Sequence, residues 1–168
     1  RRSSDLEWKG IDFSMFWQGV AKRDLWLDGL MFWGISGGEW QSTGLKEHLD
    51  YYRPENTTSV FGPNTNAYFP KMYMSKDMNQ KVQTRYLQNG AYARLKNIQL
   101  GYTFPTQIIN KLHMQKLRVY VSAENVLTIT SLPSGFDPET TYSSYSDGNS
   151  GKTYPLQTTI SFGLHATF

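Results

Sequence analysis

The chain has 168 residues, and 17 lysines and arginines against 14 acidic residues give a net charge of +3, too small a surplus to indicate a nucleic-acid partner. Because it contains no cysteine, disulfide bonds and thiolate metal sites are excluded. No apolar run reaches the roughly 18 residues of a transmembrane helix, so that way of crossing a membrane is excluded too.

Aromatic residues make up 15% of the chain, although its mean hydropathy of −0.53 is that of a polar protein. Many large rings in a chain whose mean hydropathy is polar indicate strands that have one apolar face and one polar face. This composition is typical of membrane β-barrels, in which lipid-facing and lumen-facing residues alternate. Antiparallel sandwiches share it, so composition leaves both classes open.

Near the start, Lys9-Gly10 is a two-residue hairpin signal between two strand-like segments. Residues 2–8 alternate only weakly between apolar and polar side chains. The segment after the turn alternates clearly, with apolar side chains at Ile11, Phe13, Met15 and Trp17. The pattern predicts a hairpin whose second strand is half-buried.

Residues 21–90 show no sustained period and are rich in Gly, Asn, Pro and scattered aromatics. This stretch is far longer than an ordinary connection within a compact domain. We expect a long loop that contains a short helix within 44–52 and a short strand over 82–87.

Three strong strand candidates follow, over residues 92–104, 116–129 and 156–168. The first is out of phase near its start, because Arg94 and Lys96 fall on its apolar face. A bulge near Lys96 would correct the phase; without one, these two side chains must lie above the hydrocarbon.

The connections between the strands alternate in length: Lys9-Gly10 is tight, 21–90 is long, 105–115 is short and 131–155 is long again. Short turns on one side and long loops on the other are typical of an outer-membrane barrel. The strands also approach the roughly 9–11 residues that cross a bilayer at a tilt.

The block YLQNGAYARLKNIQLGYTFP at residues 86–105 is the most specific of several in this chain, and it is supported by LRVYVSAENVLTIT at 117–130 and GFDPE at 135–139. Together these blocks resemble the C-terminal portion of SusC/RagA-family TonB-dependent transporters. Upstream, WKGIDFS at 8–14 is similar to the preceding hairpin of the family, and YRPEN at 52–56 to a large outer loop. The resemblance spans essentially the whole chain.

The resemblance implies an all-β chain: about five strands, the first truncated, of a large antiparallel transmembrane β-barrel with long extracellular loops and short periplasmic turns. Such transporters import oligosaccharides or peptides through the outer membrane of Gram-negative, Bacteroidota-like bacteria, with a SusD-like surface lipoprotein as partner. The expected further partners are the remainder of the barrel, its plug, outer-membrane lipid and the TonB complex. The plug and the TonB box are not in this sequence, and no cofactor is implied.

The last eight residues, SFGLHATF, resemble the signal that the barrel-assembly machinery reads at the end of outer-membrane proteins. The matching positions are Ser161, Gly163, Ala166 and Phe168. Alanine is a weak choice for the apolar position of this pattern.

Aromatic residues of the first long loop are the best candidates for contact with a nutrient or a partner, since rings stack on sugars and anchor protein interfaces. They are Trp40, Tyr51, Tyr52, Tyr68 and Phe69. The alternative is that these rings pack within the loop itself. A different group of aromatics is expected at lipid-facing or interfacial positions: Trp8, Trp17, Tyr102 and Phe104.

No catalytic constellation is visible, so we do not expect an enzyme. His48, His113 and His165 are far apart and favour structural or surface roles. The lumen-facing Asp12, Glu124 and Arg118 could contact substrate or plug, but solvation is the simpler expectation. The segment 147–151 has oxygen ligands for Ca²⁺ without a full ligand spacing, so a plain loop is expected and no metal is assigned.

Two other functions stay open at this stage. One is a secreted antiparallel β-sandwich that binds glycans through aromatic loops. The other is a barrel with a structural or secretion-linked role and no import.

Overall fold

The computed structural model describes residues 2–34, 44–73, 78–110, 113–141 and 153–168. The described strands and α-helices are, in chain order, β1 (Arg2–Trp8), β2 (Ile11–Val20), β3 (Asp24–Leu25), α1 (Leu30–Trp33), β4 (Gln88–Asn89), β5 (Tyr92–Thr103), α2 (Thr106–Ile109), β6 (Lys116–Thr130) and β7 (Thr159–Thr167). The same ranges contain three short 3-10 helices, at Lys46–Leu49, Met78–Gln80 and Thr84–Tyr86. No helix in these ranges is long and apolar enough to span a membrane.

The chain divides into two compact units. The first, here called the wall unit, comprises Arg1–Arg23, Gly90–Ser131 and Leu156–Phe168. The second, here called the loop unit, comprises Asp24–Asn89 and Leu132–Pro155.

The wall unit is an antiparallel sheet with the order β1-β2-β5-β6-β7. The predicted tight turn joins β1 to β2, with positive φ angles of 48° at Lys9 and 84° at Gly10. Two consecutive residues with positive φ are what a type I′ hairpin turn requires, and its twist matches that of the strands. The five predicted strands are therefore confirmed as neighbours in one sheet.

The sheet has one apolar face and one polar face, as the period-2 pattern predicts. Cross-strand pairing places Phe13, Leu100, Val121 and Phe162 in one apolar row. The apolar side chains of β7 are largely exposed, with exposed fractions of 64% for Ile160, 84% for Phe162 and 67% for Leu164. A sandwich would bury these side chains against a second sheet, whereas a barrel turns them toward lipid. The observed exposure counts against the sandwich.

The predicted bulge lies at Lys96. Pairing with β2 and β6 continues up to Leu95 and resumes at Asn97, so the register of both ladders shifts at Lys96. This extra residue places Leu95 opposite Trp17 on the apolar face, and Arg94 opposite Gln18 on the polar face. Arg94 is 3% exposed there, and its Nε donates a hydrogen bond to Thr128 Oγ1 at 2.8 Å.

The loop unit has its own hydrophobic core, which draws residues from both long connections. The buried members are Leu25, Leu27, Phe32, Trp33, Tyr86, Leu132 and Phe136. β3 pairs with β4 at the base of the first connection. Burial of these side chains removes apolar surface from water, and this orders a segment whose sequence lacks a regular hydrophobic period.

Two local predictions for this segment need adjustment. The short helix expected within 44–52 is a 3-10 helix at Lys46–Leu49. The strand expected over 82–87 is wrong: a 3-10 helix at Thr84–Tyr86 turns Tyr86 into the core, and only Gln88–Asn89 forms a strand. Core burial of one ring decides the local conformation here, overriding strand propensity.

Candidate functional site

A pocket of about 360 Å³ opens on the loop unit. Its apolar lining comes from stretches that are distant in sequence: Met31, Phe32, Leu45, Tyr68, Phe69 and Phe136. Glu47, Asp50 and Ser134 add polar groups. A concave, mostly apolar cavity with a few polar groups is the usual form of a ligand site.

His48 holds one side of the pocket in place. Its imidazole is 3% exposed; Nδ1 accepts a hydrogen bond from the Leu45 N–H at 2.8 Å, and Nε2 lies 3.0 Å from the Phe32 carbonyl oxygen. Because Nδ1 is an acceptor, Nε2 carries the proton and donates to Phe32. The Nε2 bond thus joins the 3-10 helix at Lys46–Leu49 to α1, while the Nδ1 bond caps the start of that 3-10 helix; this is a structural role, as expected for this histidine.

Gly34 makes this arrangement of His48 possible. Its φ is +58°, and a Cβ built at this position would lie 2.6 Å from His48 Nδ1. Any side chain at this position would therefore strain the backbone and also collide with the imidazole of His48.

Asp50 fixes the opposite side. Its carboxylate accepts hydrogen bonds from Asn64 Nδ2 at 2.9 Å and from the Tyr68 N–H at 3.2 Å, and its carbonyl oxygen accepts from the Phe69 N–H at 3.0 Å. These bonds hold the chain at 68–69 against the 3-10 helix, so two of the lining rings are positioned before any ligand arrives.

The structure brings four of the five predicted contact aromatics together. Tyr68 and Phe69 line the pocket, and their rings meet edge to face with centroids 4.9 Å apart. Tyr51 forms a β-bridge with Phe69, and the Tyr52 N–H donates to the Phe69 carbonyl oxygen at 3.0 Å. Trp40 lies outside the described residues.

These aromatics also pack within the loop, which was the alternative at the sequence level. Phe69 contacts the rings of Phe32, Trp33 and His48, with centroid distances of 5.6, 6.5 and 5.4 Å. Tyr68 accepts a hydrogen bond from Gln88 Nε2 at its hydroxyl, at 2.9 Å. The two rings therefore combine a core role with a position on the pocket surface.

Sequence reasoning missed Met31, Leu45 and Pro133 as pocket residues. The apolar run that ends in Met31-Phe32-Trp33 was a usable signal, because it interrupts an otherwise polar loop. Nothing in the sequence pairs that run with residues 133–136, which come about a hundred positions later.

Arg53 braces the loop next to the pocket. Its guanidinium donates to the carbonyl oxygens of Gly62 at 2.6 Å and Leu49 at 2.8 Å, and it stacks over Tyr51 with 4.7 Å to the ring centroid. The brace closes the turn that carries Val60, which is 94% exposed.

The polar face of the wall unit brings together two of the three predicted lumenal charges. Arg118 Nε donates to Asp12 Oδ1 at 2.9 Å, and a second bond joins Arg118 Nη2 to Asp12 Oδ2. Glu124 lies on the same face further along β6, opposite Asn97 and Thr159. Within the described ranges, no three His, Asp or Glu side chains are grouped to hold a metal ion. The 147–151 segment lies outside those ranges.

The four residues of the predicted assembly signal occupy both faces of β7 and its end. Ser161 and Gly163 pair with Ser122 and Tyr120 on the polar face, and Ala166 pairs with Leu117 on the apolar face. Phe168 follows the strand and is 78% exposed. Their function in assembly remains a prediction.

Comparison with known proteins gives matches over nearly the whole chain, although no family model matches it. TonB-dependent receptor P3 of Formosa agariphila is 28% identical over 99% of the chain, and TonB-dependent receptor P26 of the same organism is 25% identical over 97%. Among solved structures, the RagAB peptide transporter covers 99% of the chain at 25% identity with a TM-score of 0.67.

The chain spans only 16% of the length of each of these two receptors and 17% of the solved RagAB chain. Over that span, the resemblance to SusC/RagA-type TonB-dependent transporters predicted from the sequence is confirmed. The antiparallel sheet accordingly resembles a part of the RagA-type barrel over this span.

Proposed function

We propose that this chain forms part of the wall and outer loops of a TonB-dependent transporter that imports nutrients through the outer membrane. Support comes from the match of 99% of the chain to the RagAB peptide transporter, together with the exposed apolar face of the sheet. Energy would come from the TonB complex through parts of the protein outside this chain. We assign the chain no enzymatic activity, and its relatives are named as receptors and transporters.

The loop-unit pocket is the site that we assign to contact with the nutrient or with a SusD-like lipoprotein that caps the transporter. Oligosaccharides and peptides are both suitable, because aromatic faces stack on sugar rings and also bind apolar side chains. The name of the solved relative favours a peptide. Gram-negative bacteria of the Bacteroidota type are the expected hosts.

The test is to fill the pocket without disturbing the core. Ser134 is an exposed residue of the lining, so Ser134→Trp places an indole over the opening in the full-length transporter. Thr58→Trp is the matched control, because Thr58 is exposed and does not line the pocket. Both variants should reach the outer membrane in equal amounts.

Growth on peptides and on oligosaccharides as sole nutrients, and co-purification of the lipoprotein, are then compared. We expect Ser134→Trp to reduce uptake or lipoprotein binding by about tenfold, because the loss of one contact of roughly 1.4 kcal/mol changes a binding constant by that factor. Thr58→Trp should change neither. Normal uptake on both nutrients together with normal lipoprotein binding in Ser134→Trp would remove the pocket from the proposal.

A further inference from the structure

We propose that the Tyr120 ring and Gly163 form a register lock between β6 and β7, here called the Tyr120–Gly163 seat. In this role Gly163 is required because a neighbouring ring occupies the space of its missing side chain. The role concerns assembly of the wall and does not depend on which nutrient is carried.

The contact between the two residues is direct. Tyr120 and Gly163 are cross-strand partners on the polar face, and the phenol ring lies over the glycine so closely that a Cβ at Gly163 would overlap the outer ring atoms. The centroid of the same ring is 4.9 Å from the Arg118 guanidinium carbon, which the ion pair to Asp12 holds in place. A side chain at position 163 would therefore lift the ring into the lumen.

A second glycine continues the same row toward β2. Gly101 is the cross-strand partner of both Asp12 and Tyr120, and a Cβ there would lie 2.5 Å from both Arg118 Nη2 and Asp12 Oδ1. The ion pair and the ring thus form one layer across four strands, along the row Asp12–Gly101–Tyr120–Gly163. Each glycine of this row lies beneath a side chain of a neighbouring strand.

Only one pairing register of β6 and β7 places a glycine beneath the Tyr120 ring. A slip of two residues keeps the apolar face of β7 toward lipid, so the alternation of faces does not prevent it. The positions of β7 that face the same side as Tyr120 are Thr159, Ser161, Gly163, His165 and Thr167. Since only one of them is a glycine, either slip would place Ser161 or His165 beneath the ring.

Gly163 is also the glycine of the predicted assembly signal, which gives two competing explanations for its presence. If the assembly machinery reads the glycine itself, its replacement is harmful whatever stands at position 120. If Gly163 is instead required because of its contact with the Tyr120 ring, truncating Tyr120 should allow the barrel to assemble with a side chain at position 163. The two explanations therefore differ in a double variant.

The experiment uses the full-length transporter in the outer membrane and measures the heat-modifiable, folded fraction by electrophoresis. We expect Gly163→Ala to lower that fraction about tenfold, because overpacking typically costs about 1–3 kcal/mol. The double variant Tyr120→Ala/Gly163→Ala should recover most of it. Ser161→Ala is the matched control, since Ser161 belongs to the same signal and strand but has no ring over it.

Register is measured separately with engineered cysteine pairs, in a full-length background from which any cysteine outside this chain has been removed; the chain itself contains none. Ser122 pairs with Ser161 in the native register, so a cysteine pair at these positions should crosslink, whereas a pair at Ser122 and Thr159 reports a slip. Gly163→Ala should raise the slipped crosslink, and adding Tyr120→Ala should lower it again. The seat is overturned if Gly163→Ala assembles in register like the parent, or if the double variant stays as defective as the single one.

Discussion

Replacing Trp33 with alanine tests whether the loop unit is held together by its own aromatic core. The indole is 2% exposed and meets the rings of Phe32 and Tyr86 edge to face, with centroids 5.1 and 4.9 Å away. Truncation of a buried tryptophan to alanine costs about 3–5 kcal/mol. A unit of about 90 residues has a free energy of unfolding of roughly 5–14 kcal/mol, so the loss is a large share of the total.

A loss of about 4 kcal/mol raises the equilibrium constant for opening the loop unit roughly a thousandfold. Hydrogen exchange of the full-length transporter in detergent measures this directly, because amides of the loop unit should exchange faster while those of β5 and β6 keep their protection. Limited proteolysis should cut the same region. The barrel itself should remain heat-modifiable.

Two matched variants make the result interpretable. Trp33→Phe keeps a ring and removes an indole N–H that has no hydrogen-bond partner among the described residues, so it should cost less than Trp33→Ala. Val60→Ala changes a side chain that is 94% exposed and should have no effect. If Trp33→Ala exchanges no faster than Val60→Ala, the loop unit is not stabilised by this core.

Three shorter predictions test other parts of the structure. Phe162→Arg places a charge on the apolar face, and it should lower the free energy of unfolding by about 2–4 kcal/mol near the bilayer midplane in a refolding assay in lipid. Ser161→Arg on the polar face should be tolerated, and equal effects of the two variants would contradict the assignment of faces. Gly34→Ala should destabilise the loop unit by about 1–3 kcal/mol in hydrogen exchange, because of the positive φ and the contact with His48. Arg53→Lys should increase proteolysis near residue 60 through the loss of about 1–2 kcal/mol of directed hydrogen bonding, and an unchanged cleavage rate would contradict that role.

The wall unit could be predicted from the sequence because its signals are local. Alternation with period 2 defines the faces of each strand, Lys9-Gly10 defines a turn, and the mismatch at Arg94 and Lys96 indicates a bulge. Each of these features depends on residues within a few positions of one another. The structure agrees with the predicted pairing of all five strands.

The loop unit could not be predicted in the same way. Its core joins residues near 25–33, near 68–69, at Tyr86 and at 132–136, and these stretches share no period. His48 illustrates the difficulty, since its hydrogen bond to the Phe32 carbonyl oxygen joins two segments that show no relation in the sequence. The aromatic content of the loop identified Tyr68 and Phe69 as candidate contact residues. It could not show that each ring would pack against the core and also line the pocket.

The division of the loop-unit core between two connections has a consequence for the order of synthesis. Leu132 and Phe136 come after β6 in the chain, so five of the seven core members are made before the last two exist. A ribosome that stops before residue 132 would release a chain with most of its wall strands but without the Pro133–Phe136 side of the pocket. The lining of this pocket is therefore complete only when β6 and the segment after it have been made, so a chain truncated before residue 132 would lack part of the contact site proposed above.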